Sequence, residues 1–362
     1  MKLLVTGACG LIGSAVVNRF CSAGHAVVGV DNDSRAEYFG PDGSTASTKR
    51  WLEERHGLNY RHYGFDVRDA AAVFDLFDEC DPFDAVVHCA AQPSHDWAAA
   101  RPLEDFDVNA RGTLNLLEAT SRHCPEAVFV FMSTNKVYGA ELGGLFPVDV
   151  VERTTRFEFL DHGEVGGFGV HERFPVDQTM HAPYGVSKLA ADLAVQEYGR
   201  YYGMRTVCLR AGCITGAGHA AVPLHGFLSY LVKCNVRGER YVVKGYGGKQ
   251  VRDNLHAADL ARLIGMMIYR PSAPGSVYNV GGGKANSCSI LEAFAAVEEL
   301  TGENMECEFD PEPRRGDHQV YYTDLRKVIR DYPEWQVERD LPSIYAELVE
   351  DWQSSERAKG EG

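Results

Sequence analysis

Tyr184 and Lys188 lie four residues apart in APYGVSKLAA, at the start of a helical pattern. That spacing puts both side chains on one helix face, with Cβ atoms ~5–6 Å apart. A phenol with a free pKa of ~10 is a poor base at neutral pH, and bringing it to ~7 takes about 4 kcal/mol of preferential phenolate stabilisation. A nearby ammonium and the positive nicotinamide of an oxidised dinucleotide are both suited to supply it. Upstream, the apolar run AVFVFMS ends in Ser133-Thr134, whose hydroxyls can hydrogen-bond a substrate alkoxide. Together these groups suit moving a proton on or off a hydroxyl while hydride passes between carbon and a redox cofactor. A lone Tyr-x-x-x-Lys is common on helices by chance, so the elements that position it decide its meaning.

The first such element is Gly7-Ala8-Cys9-Gly10-Leu11-Ile12-Gly13, which follows the strand KLLVT (2–6) and opens a helical pattern at 12–23. Glycine permits the tight turn and a close backbone approach to a pyrophosphate, and the helix N-terminus offers free N–H groups. Asp31 ends the next apolar strand, AVVGVD (26–31), 18 residues after Gly13. A carboxylate there accepts both hydroxyls of an adenosine ribose and repels a 2′-phosphate, which favours NAD over NADP. Arg35 stands close enough to keep NADP open. Further apolar strands at 85–91, 127–133, 206–211 and 276–282 alternate with helical segments at 105–122, 185–202, 257–269 and 288–300. Continuous apolar strands separated by helices imply an α/β, Rossmann-type doubly wound parallel sheet.

The chain has 362 residues, with 51 Asp and Glu against 36 Lys and Arg, a net charge of −15. That balance argues against nucleic-acid or anionic-membrane surfaces, which need clustered cations. It leaves room for anionic small molecules held by a few placed arginines. The ten cysteines form no Cys-x-x-Cys pair, and there is no His-Glu-x-x-His, so no metal site is expected. Reduced core cysteines and the lack of a leader or membrane-spanning run point to the cytoplasm. Length suggests two interleaved lobes: a cofactor body at 1–211 plus 252–280, a smaller substrate lobe at 212–251 and 281–345, and a tail at 346–362, whose last residues, SSERAKGEG, are expected to be mobile. The Phe-rich, irregular stretch 139–183 reads as a wall or lid of the substrate pocket.

TGACGLIG, Asp31-Asn32, Phe65-Asp66-Val67, His88-Cys89-Ala90-Ala91, Asn109 with Gly112-Thr113, and Tyr184…Lys188 together resemble the extended short-chain dehydrogenase/reductase superfamily. Within it they resemble the NAD-dependent epimerase/dehydratase family, whose members act mostly on nucleotide sugars. The resemblance runs from residue 1 to about 345. It implies that Tyr184 is the base, Lys188 its tuner and ribose ligand, and Thr134 the hydroxyl partner. It also implies that Asn32, Asp66 and Val67 border the adenosine, that Ala90, Ala91, Gln92 and Ser133 line the cofactor, and that Asn109 supports the catalytic strand. A homodimer through the helices at 105–122 and 185–202 follows from the same likeness.

The 4,6-dehydratases of this family carry Asp-Glu after the threonine, whereas this chain has Asn135-Lys136. Asn cannot titrate and Lys reverses the charge, so dehydration is disfavoured. Ser-Thr-Asn-Lys-Val-Tyr-Gly (133–139), Val251-Arg252-Asp253 and Asn279-Val280-Gly281-Gly282 look much like the CDP-tyvelose (CDP-paratose) 2-epimerases. That likeness implies inversion at C2 by transient oxidation and hydride return. C4 inversion and net oxidation or reduction are the alternatives, and a non-catalytic NAD-binding role is disfavoured by the intact Thr, Tyr and Lys. Arg252 and Arg314 are the expected diphosphate ligands. The loop Gln92-Pro93-Ser94-His95-Asp96-Trp97 is placed to meet substrate, with His95 either a second acid, a pocket donor or a plain surface residue. Asn135 and Lys136 are expected beside the sugar. Thr215, where relatives often carry Tyr, and the length of 139–183 leave the base and sugar open.

Overall fold

The computed structural model describes residues 1–80, 82–140, 142, 148–161, 165–223 and 225–360, with only the backbone described at 358–360. Seven strands form the main sheet: β1 (Lys2–Thr6), β2 (Ala26–Val30), β3 (Tyr60–Tyr63), β4 (Ala85–His88), β5 (Val128–Thr134), β6 (Arg205–Ala211) and β7 (Ser276–Val280). Their order is β7-β6-β5-β4-β1-β2-β3, every neighbouring pair parallel. The order reverses between β1 and β4, which opens a crevice at the carboxyl ends of the strands.

The apolar strands follow from burial on both faces. Leu3 and Val5 point into one core with Val16 and Phe20 of helix Leu11–Ser22 and Leu260, Leu263 and Met267 of helix Ala257–Tyr269. Leu4 points into the other, with Leu116 and Leu117 of helix Gly112–His123 and Val195 of helix Pro183–Arg200. The helix expected at 105–122 is interrupted. Pro102–Phe106 leads into a widened π turn at Asp107–Arg111 before Gly112–His123 begins. Such turns break the 3.6-residue period and often mark functional sites.

The second lobe holds a four-stranded sheet of Cys213–Thr215, Val251–His256, Ser287–Ser289 and Val320–Tyr321, and a two-stranded one of Tyr241–Lys244 with Cys307–Asp310. Strand Val251–His256, at the expected return to the cofactor body, pairs within the small sheet while its Leu255 packs in the first body's core. Val328, Tyr332 and Trp335, expected in the substrate lobe, pack into the first body's core instead.

Two further expectations are corrected. The tail expected from 346 is the body of helix Leu341–Gly360, and Ile344, Leu348 and Val349 bury against helices Phe227–Arg237 and Ile290–Thr301. The described residues of 139–183 line neither cleft. Phe159, Val165, Val170 and Phe174 instead form a core with Tyr138, Tyr321 and Tyr322 behind the second lobe. Their aromatic content answers to that packing; residues 141, 143–147 and 162–164 of this stretch lie outside the described residues. Among the described residues no helix is long and apolar enough to cross a membrane, and all ten cysteines are free.

Candidate active site

The crevice at the β1/β4 reversal is lined by Gly7, Gly10, Leu11, Ile12 and Gly13 from the turn after β1, Asp31 and Asn32 from the end of β2, and Asp66 and Val67 after β3. Ala90 and Ala91 after β4, Ser133 and Thr134 at the end of β5, Tyr184 and Lys188 complete it. At Gly7 (φ +64°) a Cβ would lie 2.7 Å from the Ala90 nitrogen, and at Gly13 only 2.0 Å from the Gly7 carbonyl. Both positions therefore need glycine, and the backbone is bare where a pyrophosphate must approach the helix N-terminus. Asp31 is fixed by accepting hydrogen bonds from the Cys9 and Asp33 amides, each 2.9 Å. Asn32 donates to Asp66, which is paired with Arg68 at 2.8 Å. Burial works to raise Asp66, but the hydrogen bonds from Arg68 prevail and hold it below the usual carboxylate range. This end of the crevice fits an adenosine.

Arg35 lines the crevice, but its donors go elsewhere: Nη2 to the Ala220 carbonyl at 2.6 Å and Nε to the Gly43 carbonyl at 3.2 Å. It is tied to the second lobe and does not stand ready for a 2′-phosphate. Gln92, Asn109 and Ser94 are buried behind the lining rather than in it. The Asn109 amide donates to the Gln92 carbonyl, Asp105 and Ser187, and its oxygen accepts from the Gln92 amide. The π turn aims Asn109 at the catalytic helix, so it braces the site. Ser94 caps the short helix that carries His95.

Tyr184 is buried beside Thr134 with its ring 4.9 Å from that of His95. Burial pushes the phenol up to about 12, with the Thr134 hydrogen bond pulling it down and Asp105 adding to the rise. The expected downward shift is thus reversed in the chain itself. Lys188 does not offset the burial: its ammonium donates to the Met132 carbonyl at 2.7 Å and lies 4.2 Å from the centre of the Phe131 ring. Burial pushes Lys188 down to about 8, against the pull of Asp192. The Ser133 hydroxyl is also taken, donating to Asp192 at 2.6 Å, so Thr134 is the hydroxyl of the pair that faces Tyr184.

A second cleft opens beyond Thr134 and Tyr184, lined by His95, Asn135, Lys136, Arg252, Arg314 and Asp317 among others. Arg252 donates to Asp317 at 2.6 Å, and Lys136 to the same oxygen at 2.8 Å. Burial would raise Asp317, but Arg252 and Lys136 overcome it and hold the carboxyl well below its usual range. Arg314 donates to the Pro223 carbonyl at 3.0 Å. Burial, reinforced by Lys136, pushes His95 down to about 3, so its imidazole is neutral. Among the described residues no group of His, Cys, Asp and Glu could hold a metal. Sequence reading did not find the wall shared by the two clefts, His219 and His225, because no motif marks it.

A parallel doubly wound sheet, a glycine cradle at its reversal, and Thr134 and Tyr184 where that crevice meets a second cleft are the frame of a dinucleotide-binding enzyme. The chain belongs to the NAD dependent epimerase/dehydratase family, whose model matches residues 3–281. It is 32% identical to the CDP-paratose 2-epimerase of Salmonella typhi over 334 residues, 91% of this chain and 92% of that one. It is 28% identical to the UDP-glucose 4-epimerase of Erwinia amylovora over 373 residues, 98% of each chain. The structure of the Thermus thermophilus UDP-glucose 4-epimerase in complex with NAD matches with a TM-score of 0.76 and 26% identity, covering 98% of this chain and all of that one.

Proposed function

We propose that this protein is an NAD-dependent nucleotide-sugar epimerase that inverts C2 of a CDP-linked sugar through a transient keto sugar. The observation that carries epimerisation over elimination lies beside Thr134. There stand Asn135 and Lys136, and the one carboxylate among the described residues lining the second cleft, Asp317, is bound to two cations. No free carboxyl is left among these residues to protonate a departing hydroxyl. Similarity to the Salmonella typhi enzyme across most of both chains supports CDP and C2.

NAD, when bound, supplies a hydride acceptor that returns its hydride within the same turnover and a positive nicotinamide that favours the phenolate. Gly7, Gly10 and Gly13 hold its pyrophosphate, Asp31 its adenosine ribose, and Lys188 the ribose nearer Tyr184. Tyr184 takes the sugar hydroxyl proton, and Thr134 hydrogen-bonds the developing alkoxide. Arg252 and Arg314 grip the substrate diphosphate, while Asn135, Lys136 and the neutral His95 meet sugar hydroxyls. The second cleft would give the keto sugar room to turn, so that its other face would meet the cofactor beside Tyr184.

A second reading, inversion of C4 of a UDP-sugar, is favoured by the Erwinia amylovora and Thermus thermophilus likenesses. NMR of products from CDP-, UDP- and GDP-sugars incubated in deuterium oxide separates the two. Inversion at C2 without solvent deuterium on that carbon supports the proposal. Deuterium wash-in indicates enolisation instead, and steady accumulation of reduced cofactor indicates net oxidation.

The ten free cysteines suit a reducing cytoplasm. The helices Pro102–Phe106, Gly112–His123 and Pro183–Arg200 expose Leu103, Phe106, Leu114, Val186 and Leu193, which supports a homodimer through this face. A sedimentation mass equal to that of one chain at micromolar concentration refutes it.

A further inference from the structure

Asp105, on helix Pro102–Phe106, is a fully buried acid that lines neither cleft. Its Oδ1 accepts from two side-chain amides, Gln92 Nε2 at 2.7 Å and Asn109 Nδ2 at 3.0 Å. Each amide leads to a different wall of the site. On one arm, Gln92 clamps both main-chain groups of Ser94: Nε2 donates to the Ser94 carbonyl at 2.9 Å, and Oε1 accepts from the Ser94 amide. The Ser94 hydroxyl accepts from the Trp97 amide at 3.2 Å and so caps the short helix that begins at His95. On the other arm, Asn109 Nδ2 donates to Ser187 Oγ at 3.0 Å, and the Ser187 hydroxyl donates to the Tyr184 carbonyl at 3.0 Å, in the first turn of helix Pro183–Arg200.

The two arms end on rings that touch, His95 and Tyr184, with centroids 4.9 Å apart. Gln92, Ser94, Asp105, Asn109 and Ser187 are each at most 1% exposed, so water does not replace a bond lost among them. Burial raises the Asp105 carboxyl above its usual range, which makes an acid here costlier than an apolar residue unless the amides need it. They do. An oxygen that takes two N–H groups turns both amides nitrogen-inward. That leaves the Gln92 oxygen for the Ser94 amide and the Asn109 oxygen for the Gln92 amide.

We propose that Asp105 is a positioning residue for the proton transfer: one buried oxygen sets both the loop that lays His95 on Tyr184 and the helical turn that carries Tyr184, and so fixes the phenol beside Thr134. This deepens the proposed function and rests on Tyr184 as its base. The phenol has to be aligned with the sugar hydroxyl, and a displacement of ~1 Å at such a group costs up to about a hundredfold in rate. Arg252, Arg314 and Lys136 grip substrate from other elements, so the loss falls on kcat more than on KM.

Asp105→Leu, Asp105→Asn, Gln92→Leu, Ser187→Ala and His95→Ala are compared with wild type in turnover of the sugar nucleotide that wild type inverts, with bound NAD and melting temperature measured on each. Asp105→Leu lowers kcat by about ten- to a hundredfold, changes KM less and still binds NAD. Asp105→Asn keeps an oxygen for both amides and restores most of that loss. A double-mutant cycle separates the arms. Gln92→Leu costs nothing further in a His95→Ala background, whereas Ser187→Ala still lowers kcat there. Wild-type kcat in a folded but less stable Asp105→Leu protein overturns the proposal, because the carboxyl then serves stability alone. So does an Asp105→Asn protein as impaired as Asp105→Leu. If Asp105→Leu does not fold, Gln92→Leu and Ser187→Ala carry the test, and wild-type kcat in both overturns it. Wild-type turnover by Tyr184→Phe overturns the reading of the base itself, an outcome distinct from an undiminished Asp105→Leu.

Discussion

Lys136 Nζ stands 2.8 Å from Asp317 Oδ1 at the foot of the second cleft, and Arg252 reaches the same oxygen at 2.6 Å. One carboxylate thus orders two cations and cancels one of them, so these three groups carry one net positive charge, beside that of Arg314, toward an anionic substrate. Losing one cation that contacts the substrate costs about 1.4 kcal/mol, a tenfold effect. Lys136→Met therefore raises KM about tenfold and changes kcat less. Steady-state kinetics checks this split; a fall in kcat at constant KM would place Lys136 at the reacting carbon instead.

Tyr184 is the sole phenol lining the cofactor crevice next to Thr134 among the described residues. Removing its hydroxyl as Tyr184→Phe keeps the ring against His95, so the pocket holds its shape. The loss of the general base lowers kcat by ~10²–10⁴. Bound NAD per protomer stays at the wild-type level. Equal loss of NAD binding and turnover would show that the residue supports the cofactor rather than the proton transfer.

Lys188 gives a pH signature. Its pKa falls from the ordinary lysine value to about 8 in the folded chain because burial disfavours the ammonium. Between about 8 and the unfolded value of ~10.4 the unfolded chain binds more protons, so stability rises with pH in that window. Below about pH 8 the folded protein carries the whole cost of the buried charge. The stability of wild type relative to Lys188→Met therefore climbs as pH goes from 8 towards 10, by on the order of 2–3 kcal/mol. Parallel urea melts of the two proteins across that range check it. A flat difference would mean that the hydrogen bond to Met132 keeps Lys188 protonated throughout.

That Gly7, Gly13, Asp31, Thr134 and Tyr184 would meet in one crevice was legible because local chemistry dictates it. Gly7, Gly13 and Asp31 sit at strand ends where only those residue types serve, and the apolar period of the strands fixes the sheet that carries them. What escaped was set by packing across long sequence separations. Nothing local tells that Ser133 spends its hydroxyl on Asp192, that Arg35 reaches Ala220, or that a π turn aims Asn109 at Ser187. The described part of 139–183 misled because aromatic residues in an irregular segment suit a lid and a core equally well. Only the neighbours Tyr321 and Tyr322 decide between them.

Asp192 and Arg210 form an ion pair at 2.9 Å with side chains 0% and 5% exposed. Asp192 also receives Ser133 and Gln196, so its loss leaves several donors unmet beneath the catalytic strand. Breaking such a pair from one side costs about 3–5 kcal/mol, since the remaining charge stays buried. Asp192→Ala lowers the melting temperature accordingly, whereas Arg200→Ala, a partly exposed position on the same helix, changes it little. Differential scanning calorimetry on both variants checks the contrast; equal shifts would show that the pair adds nothing.

Leu348 tests the C-terminal helix. It is fully buried among Leu231, Val297 and Ile344, on a helix whose Glu347 also accepts from His256 at 3.0 Å. A Leu→Ala change at such a site removes apolar contact and leaves a cavity, about 2–5 kcal/mol. A freely moving tail would lose nothing. Leu348→Ala therefore destabilises the protein to urea and raises proteolytic cleavage within helices Phe227–Arg237 and Ile290–Thr301, which pack on it. Exposed Glu350→Ala, on the opposite side of the same helix, leaves both unchanged. Wild-type resistance in the Leu348 variant would detach this helix from the second lobe.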